Sequence, residues 1–439
     1  MTTEDDERVR KAQAFAAQAL QRHRDYRGKI TMAPKCPVRG LEDLAHWYTP
    51  GVAEPCRAIV RDPSESWQLT NRANQIAIVS DGTRVLGLGN IGPEAGMPVM
   101  EGKALLFKVC GAVDAVPLCV RTSSAQELVD LVCALEPSFG AINLEDIEQP
   151  KCFAVLDALR DRLQIPVWHD DQQGTATVTL AAVRNALEVV GKSIGDARFA
   201  LIGIGAANVS VYRLLRSAGV ASEAIVACDT AGILHLGRED LSAQRETYPH
   251  KWEVCCGTDP AVTGGGIEDA LRGADVCIAF SHPGPGTIEP AWVRGMAQDA
   301  IVFACANPVP EIWPWQAREA GAAIVATGRS DFDNQLNNSL GFPGIFRGVL
   351  DVRARSIPDE LAIAAAQALG DYARRGPGLS PSRILPSMDE WHVVPEIAAA
   401  VGARAEALGL AQVRVDPQML RRQAHDAIER ARAVAAAID

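Results

Sequence analysis

No apolar run in the chain is long enough to cross a bilayer. Its eleven cysteines include no CxxC pair. Most of them sit inside apolar stretches such as "DVCIAF" and "VFACAN", so they read as reduced core thiols rather than zinc ligands or a disulfide framework. An excess of positive charge is also missing. The formal net charge of −11 argues against a partner made of nucleic acid or anionic membrane, leaving room only for a local basic pocket. The opening "MTTEDDERVRKAQAF" is polar and acidic, unlike a signal peptide, which leads to the expectation of a cytoplasmic protein. Internal repeats and low-complexity linkers are absent too.

What is present is ordinary globular material. With 439 residues, 48% apolar and 22% charged, the chain is long enough for two domains, each with its own core. An amphipathic helix over about Asp6 to Arg24 leads into a Pro-punctuated arm, "APKCPVRGLEDLAHWYTPGVAEPC". Apolar runs "NQIAIVSDG", "AVPLCV", "GAINLED" and "IPVWHDD" then alternate with helical patterns, as parallel α/β units do. A second alternating set follows the helix at 174–190: "RFALIGIG", "AIVACD", "DVCIAFS", "AIVFACANP" and "AIVATGRS". The boundary falls near Gln173, giving units of residues 1–173 and 174–439, the latter ending in Ala/Arg-rich helices.

Two glycine motifs compete for a dinucleotide. "GLGNIG" (Gly87 to Gly92) fits G-x-G-x-x-G letter for letter, but "PEAGMP" follows it and is not expected to open a long helix at once. "GIGAAN" (Gly203 to Asn208) misses the last glycine. It nevertheless follows a clear strand and opens a helix, and a second strand ends in Asp229, placed to grip a ribose hydroxyl. Context favours the second motif, with Gly203, Gly205, Ala206, Ala207, Asn208 and Asp229 at the cofactor. The residues after Asp229 are "TAG", with no lysine or arginine to welcome a 2′-phosphate, so NAD is favoured over NADP.

"IPVWHDDQQGTAT" raises a different question, because two adjacent aspartates, Asp170 and Asp171, end an apolar run where a cap needs only one. "INLEDI" ends another strand with Glu145 and Asp146. In a parallel sheet both ends lie on one side, where ligand sites form. Oxygen ligands with no His/Cys cluster favour Mg²⁺ or Mn²⁺.

At this point the chain resembles the malic enzymes of the short bacterial type. The likeness runs from "GKITMAPKCPV" to "VGARAEALGLA" and rests on "WYTPGVAEPC", "SDGTRVLGLGNIGPEAGMPVMEGKALLFK", "FGAINLEDI", "HDDQQGTATVTLAA", "ANPVPEI" and "ATGRSDFDNQLNNSLGFPGIFRG". It implies a parallel-sheet malic-type domain followed by a Rossmann-like domain. The implied reaction is oxidative decarboxylation of (S)-malate, or a related 2-hydroxy diacid, to pyruvate and CO₂ with reduction of NAD(P). The resemblance assigns Glu145, Asp146 and Asp171 to the metal, Tyr48 as general acid and Lys103 as general base. Asn307 and Asn338 would hold substrate, Asn307 also touching the cofactor, and Asp170 would partner Lys103 or the metal's surroundings. Oxidation needs a lysine brought toward neutrality, by burial or nearby positive charge.

Three positions depart from the pattern. Gln173 stands where His is common, and Asn208 where the third fingerprint glycine belongs, crowding the helix–strand contact or touching phosphate. Arg84 stands where short members carry a small residue, suited to a substrate carboxylate. A substituted malate therefore stays open as substrate. So do a malolactic or decarboxylase-only relative and a nucleotide-binding pseudoenzyme, although the intact Tyr48, Lys103, Glu145, Asp146 and Asp171 speak against the last. A homodimer is expected, with Tyr48 acting in its own chain or in the partner's site.

Overall fold

Short apolar runs without polar alternation suit strands covered by helices on both faces, and here they form two mainly parallel sheets. The computed structural model describes Phe15 and residues 18–438. The expected first helix lies partly outside that range; of the described residues, Phe15 and 18–26 are helical.

The first sheet contains β1 (Gln75–Ser80), β2 (Asp114–Cys119), β3 (Ala141–Leu144) and β4 (Val167–His169), in the order β2-β1-β3-β4 with every pair parallel. Its register sets Leu144 opposite His169. Glu145 and Asp170 therefore leave neighbouring strands side by side. The second sheet contains β5 (Phe199–Ile202), β6 (Ile225–Asp229), β7 (Gly232–Ile233), β8 (Val276–Ala279), β9 (Ile301–Ala304) and β10 (Ile324–Thr327). Its order is β10-β9-β8-β5-β6-β7, with only β7 antiparallel to its neighbour. The chain winds outward in opposite directions from β5 and β8, so the switch point lies between those two strands.

One sequence expectation needs correction. A 20-residue helix, Gly92–Gly111, does open directly after "GLGNIG". Pro93 falls in its first turn, where no intrahelical N–H is lost, and Pro98 is accommodated one turn later. Part of the segment after β10 reaches back to the first unit. Helices Phe342–Asp351 and Pro417–Ala436 pack on Gly92–Gly111. Phe107 lies 4.5 Å from Phe342 and 5.0 Å from Phe346, all three fully buried. Burying each such ring stabilises by about 2–3 kcal/mol, enough to draw the C-terminal helices back over the first sheet.

No described helix is long and apolar enough to cross a membrane. All eleven cysteines are free; Cys152, Cys228, Cys255, Cys277 and Cys305 are buried, whereas Cys56 and Cys256 are exposed.

Candidate active site

The carboxyl ends of β3 and β4 carry the acidic residues. Successive strand residues face opposite ways, so Asn143 and Glu145 share a face, as do Trp168 and Asp170. Asn143 Nδ2 donates to Glu145 Oε2 at 2.9 Å, and Trp168 Nε1 donates to Asp170 Oδ1 at 3.0 Å. Residues Asp170–Gly174 form one π-helical turn ahead of helix Thr175–Val189, a distortion that turns the adjacent aspartates in different directions. Asp171 Oδ2 accepts from the backbone N–H of Asp146 at 2.9 Å. Asp146 itself adopts a left-handed φ of 54°, fixed by that bond and by Arg84 N–H donating to its carbonyl at 3.0 Å.

Lys103, buried on the Gly92–Gly111 helix, reaches this cluster from the side. Its Nζ lies 2.5 Å from Asp170 Oδ2, 3.0 Å from Glu145 Oε1 and 4.5 Å from the Phe342 ring centre. Both oxygens of Asp170 are thereby used. Glu145, Asp146 and Asp171 remain, each offering an oxygen within 4.8 Å of the others, and Asp146 Oδ2 is buried without a partner.

Four carboxylates thus face one ammonium in a largely buried cluster. Burial, then the Asp171 charge, pushes the Asp146 carboxyl up to about 8. Burial likewise holds Glu145 well above the ordinary glutamate value, against the pull of Lys103. Burial works against the Lys103 charge, but Asp170 and Glu145 outweigh it and hold the ammonium above the ordinary lysine value. The expectation that this pocket by itself brings Lys103 toward neutrality is therefore corrected: the anions beside it win. The surplus negative charge, the oxygen-only donor set and the orphaned Asp146 oxygen all fit a small divalent cation.

Asn338 is brought to the same place, since its Cβ lies 3.4 Å from where a Gly174 side chain would begin. Asn307 lies between the two units. A Cβ on Gly328 would fall 2.7 Å from its Nδ2, and one on Gly87 would fall 2.7 Å from its carbonyl oxygen. Arg84 is exposed on the same glycine-rich loop. Tyr48 is not brought in. It caps helix Leu41–Trp47 at 72% exposure and is not among the groups that meet Lys103.

The second motif forms the expected turn. Gly203 has φ 83°, and a Cβ on it would meet Phe280 O at 2.7 Å. Helix Ala206–Ser217 opens directly after Gly205, aiming free N–H groups at the switch point. Asn208 is fully buried and its Nδ2 bonds the carbonyls of Ile202, Gly203 and Ile278, so it joins β5 to β8 instead of crowding their packing. Gln173 likewise turns inward, accepting from His169 N–H at 3.2 Å and donating to Ile357 O at 3.4 Å.

One local reading is overturned. Cations do lie beside Asp229: Arg238 bonds its two oxygens at 3.0 and 3.3 Å, and Lys251 Nζ lies 3.5 Å away. The β6–β7 hairpin brings the chain back within nine residues, a fold-back that the adjacent "TAG" does not reveal. Sequence reasoning also missed Asn143 and Trp168, although a polar residue two positions before a site carboxylate on a buried strand is a usable signal.

A dinucleotide-type turn in one sheet and a buried lysine among carboxylates in the other fit the class of dinucleotide-dependent oxidoreductases of small hydroxy acids. Two family models divide the chain between them: the malic enzyme N-terminal domain over residues 27–160 and the malic enzyme NAD-binding domain over residues 172–406. The bifunctional malic/malolactic enzyme of Bacillus subtilis (strain 168) is 45% identical over 401 residues, covering 91% of this chain and 95% of that protein. An NADP-dependent malic enzyme of Halomonas elongata is 45% identical, covering 79% of this chain and 80% of its own. The crystal structure of Entamoeba histolytica malic enzyme superposes with a TM-score of 0.95 at 45% identity, over 99% of this chain and 90% of that one. The chain belongs to the malic enzyme family, whose members oxidise and decarboxylate malate with NAD or NADP.

Proposed function

We infer that the family's reaction, malate to pyruvate and CO₂ with reduction of NAD(P), runs in this chain through Lys103, Asp170 and the carboxylates of Glu145, Asp146 and Asp171. The observation that carries this reading is the 2.5 Å pairing of Lys103 with Asp170, directly beside three further carboxylates. When bound there, Mg²⁺ or Mn²⁺ supplies Lewis-acid stabilisation of the oxygen charge that develops during oxidation and decarboxylation. Lys103 Nζ is the group that takes the hydroxyl proton of the substrate. It must first give up its own, and Asp170 Oδ2, 2.5 Å away, is the nearest group placed to accept it. Asn307, Asn338 and Arg84 orient the diacid, Arg84 through a carboxylate. We place the malic-type unit in residues 1–173 and the dinucleotide unit from Gly174 onward, with the C-terminal helices closing over the first.

The dinucleotide lies along Gly203, Gly205, Ala206, Ala207 and Asn208, with its adenosine ribose near Asp229. Because Arg238, shared with Asp240, and Lys251 together offset Asp229, this end does not exclude a 2′-phosphate, and we propose that the chain accepts both NAD and NADP. We further propose a homodimer in the cytoplasm, the compartment that suits its free cysteines. Helices Leu41–Trp47 and Ala53–Arg61 bury none of their residues, and Leu41, Trp47 and Val60 are more than half exposed. A second copy covering that face would carry Tyr48 toward its partner's Lys103, where the phenol protonates the enol carbon.

The test is an absorbance assay at the NAD(P)H band, with Mn²⁺, either dinucleotide and a panel of 2-hydroxy diacids. Asp171→Ala should remove malate-dependent NAD(P)H formation while the protein stays folded. Lactate formed from malate without net NADH would instead indicate malolactic chemistry, and full turnover after chelation would remove the metal site.

A further inference from the structure

Glu311 is a charged side chain that the chemistry above does not use. It is fully buried in "ANPVPEI", and no cation is among the groups that govern its charge. Its Oε1 accepts from the N–H of Ser281 at 2.8 Å and from the Ser281 hydroxyl at 3.0 Å, and its Oε2 accepts from Ala306 N–H at 3.0 Å. Burial pushes its carboxyl up, and the backbone donors pull it back. Three donors converging on two oxygens call for a group that only accepts, and a carboxylate is the side chain that does so.

The placement is specific. β8 and β9 are neighbours, with Ala279 opposite Ala304. Ser281 and Ala306 each lie two residues beyond those strand ends, so one carboxylate ties the two crossover loops together beside the switch point. Asn307 follows Ala306 directly. On its other side Arg329 donates to Pro308 O at 2.6 Å while paired with Asp331. The backbone on both sides of Asn307 is therefore pinned by a buried or half-buried charged side chain.

We propose that Glu311 is a positioning residue for Asn307, holding the loop that presents its amide to the substrate and nicotinamide. This rests on the assignment of Asn307 to the substrate. A charge-assisted triple hydrogen bond is a stiff anchor, and small misplacements of an orienting group cost rate steeply.

The experiment is a double-mutant cycle of Glu311→Gln and Asn307→Ala in the full-length enzyme, read as malate oxidation and as NADH binding by fluorescence. The amide keeps the shape but turns an NH₂ toward one of the donors. Glu311→Gln should lower kcat on the order of ten- to a hundredfold while NADH affinity stays within about twofold. In the Asn307→Ala background the same change should cost almost nothing further, because its route to the chemistry is already gone. Ser281→Ala removes one of the three bonds without touching the charge. It should give a smaller loss with the same non-additivity, and it carries the test if Glu311→Gln folds poorly. Losses that multiply across the cycle would overturn the role of Glu311 while leaving Asn307 in place. Wild-type kcat/KM in Asn307→Ala alone would instead remove the assignment of Asn307, and this proposal with it.

Discussion

Gly174 has no side chain because Asp170 occupies the space: a Cβ on Gly174 would lie 2.0 Å from Asp170 Oδ1. Its backbone has an ordinary helical φ of −65°, so any residue could adopt the conformation. The constraint is purely steric. Gly174→Ala should drive Asp170 off both Trp168 and Lys103, lowering kcat by at least about tenfold and stability by about 1–3 kcal/mol. Steady-state kinetics with a thermal melt checks this, and wild-type kcat in Gly174→Ala would mean that the Lys103–Asp170 pair is dispensable.

Much of this arrangement was legible in the sequence. "INLEDI" and "IPVWHDD" read as adjacent strands, and the parallel register then sets Glu145 beside Asp170. The pairing of Asp170 with Lys103 followed from having two carboxylates where a cap needs one, together with the family likeness. What sequence could not give is long-range. Nothing local says that Phe342 returns to Phe107, that Arg238 folds back onto Asp229, or that Asn208 spends its amide on carbonyls of β5 and β8. The helix after "GLGNIG" is hidden in the sequence because proline breaks a helix interior but fits a first turn.

Arg238 supplies a prediction for the cofactor. With Asp229 and Asp240 offset by Arg238 and Lys251, a 2′-phosphate meets little net repulsion; with Arg238→Gln, only Lys251 remains against the two aspartates. The ratio of kcat/KM for NADP to that for NAD should fall about tenfold, equivalent to about 1.4 kcal/mol of discrimination. Fluorescence titration with NADPH and NADH should show the same ratio without reference to turnover. An unchanged ratio would separate Arg238 from cofactor choice.

The carboxylate cluster predicts how pH and metal act together on stability. The Asp146 carboxyl is raised from 3.8 to about 8 in the folded chain. Between those values the folded state holds a proton that the unfolded chain has released, so stability of the ion-free protein falls as pH rises through the window. A divalent cation that displaces this proton restores what was lost. Mn²⁺ should therefore raise Tm more near about pH 8 than near about pH 6, measured against chelator-treated protein. Asp146→Asn should flatten that dependence. Equal Mn²⁺ shifts at both pH values in the wild type would contradict the raised carboxyl.

Assembly can be tested through Tyr48, a residue 72% exposed at the end of a helix that buries none of its residues. If the phenol serves the partner's Lys103, a dimer of Tyr48→Phe with Lys103→Ala contains one intact site, made from Tyr48 of one chain and Lys103 of the other. Each homodimer contains none. Equal amounts of the two inactive variants, unfolded together and refolded, pair at random. Half of the dimers are then mixed, each with one working site out of two, so activity should return to roughly a quarter of the wild-type level. If Tyr48 instead swings onto the Lys103 of its own chain, every site lacks one residue or the other, and the refolded mixture stays as inactive as its components. Sedimentation of the mixture before assay establishes that dimers have re-formed, so a dead mixture of proper dimers assigns Tyr48 to its own chain.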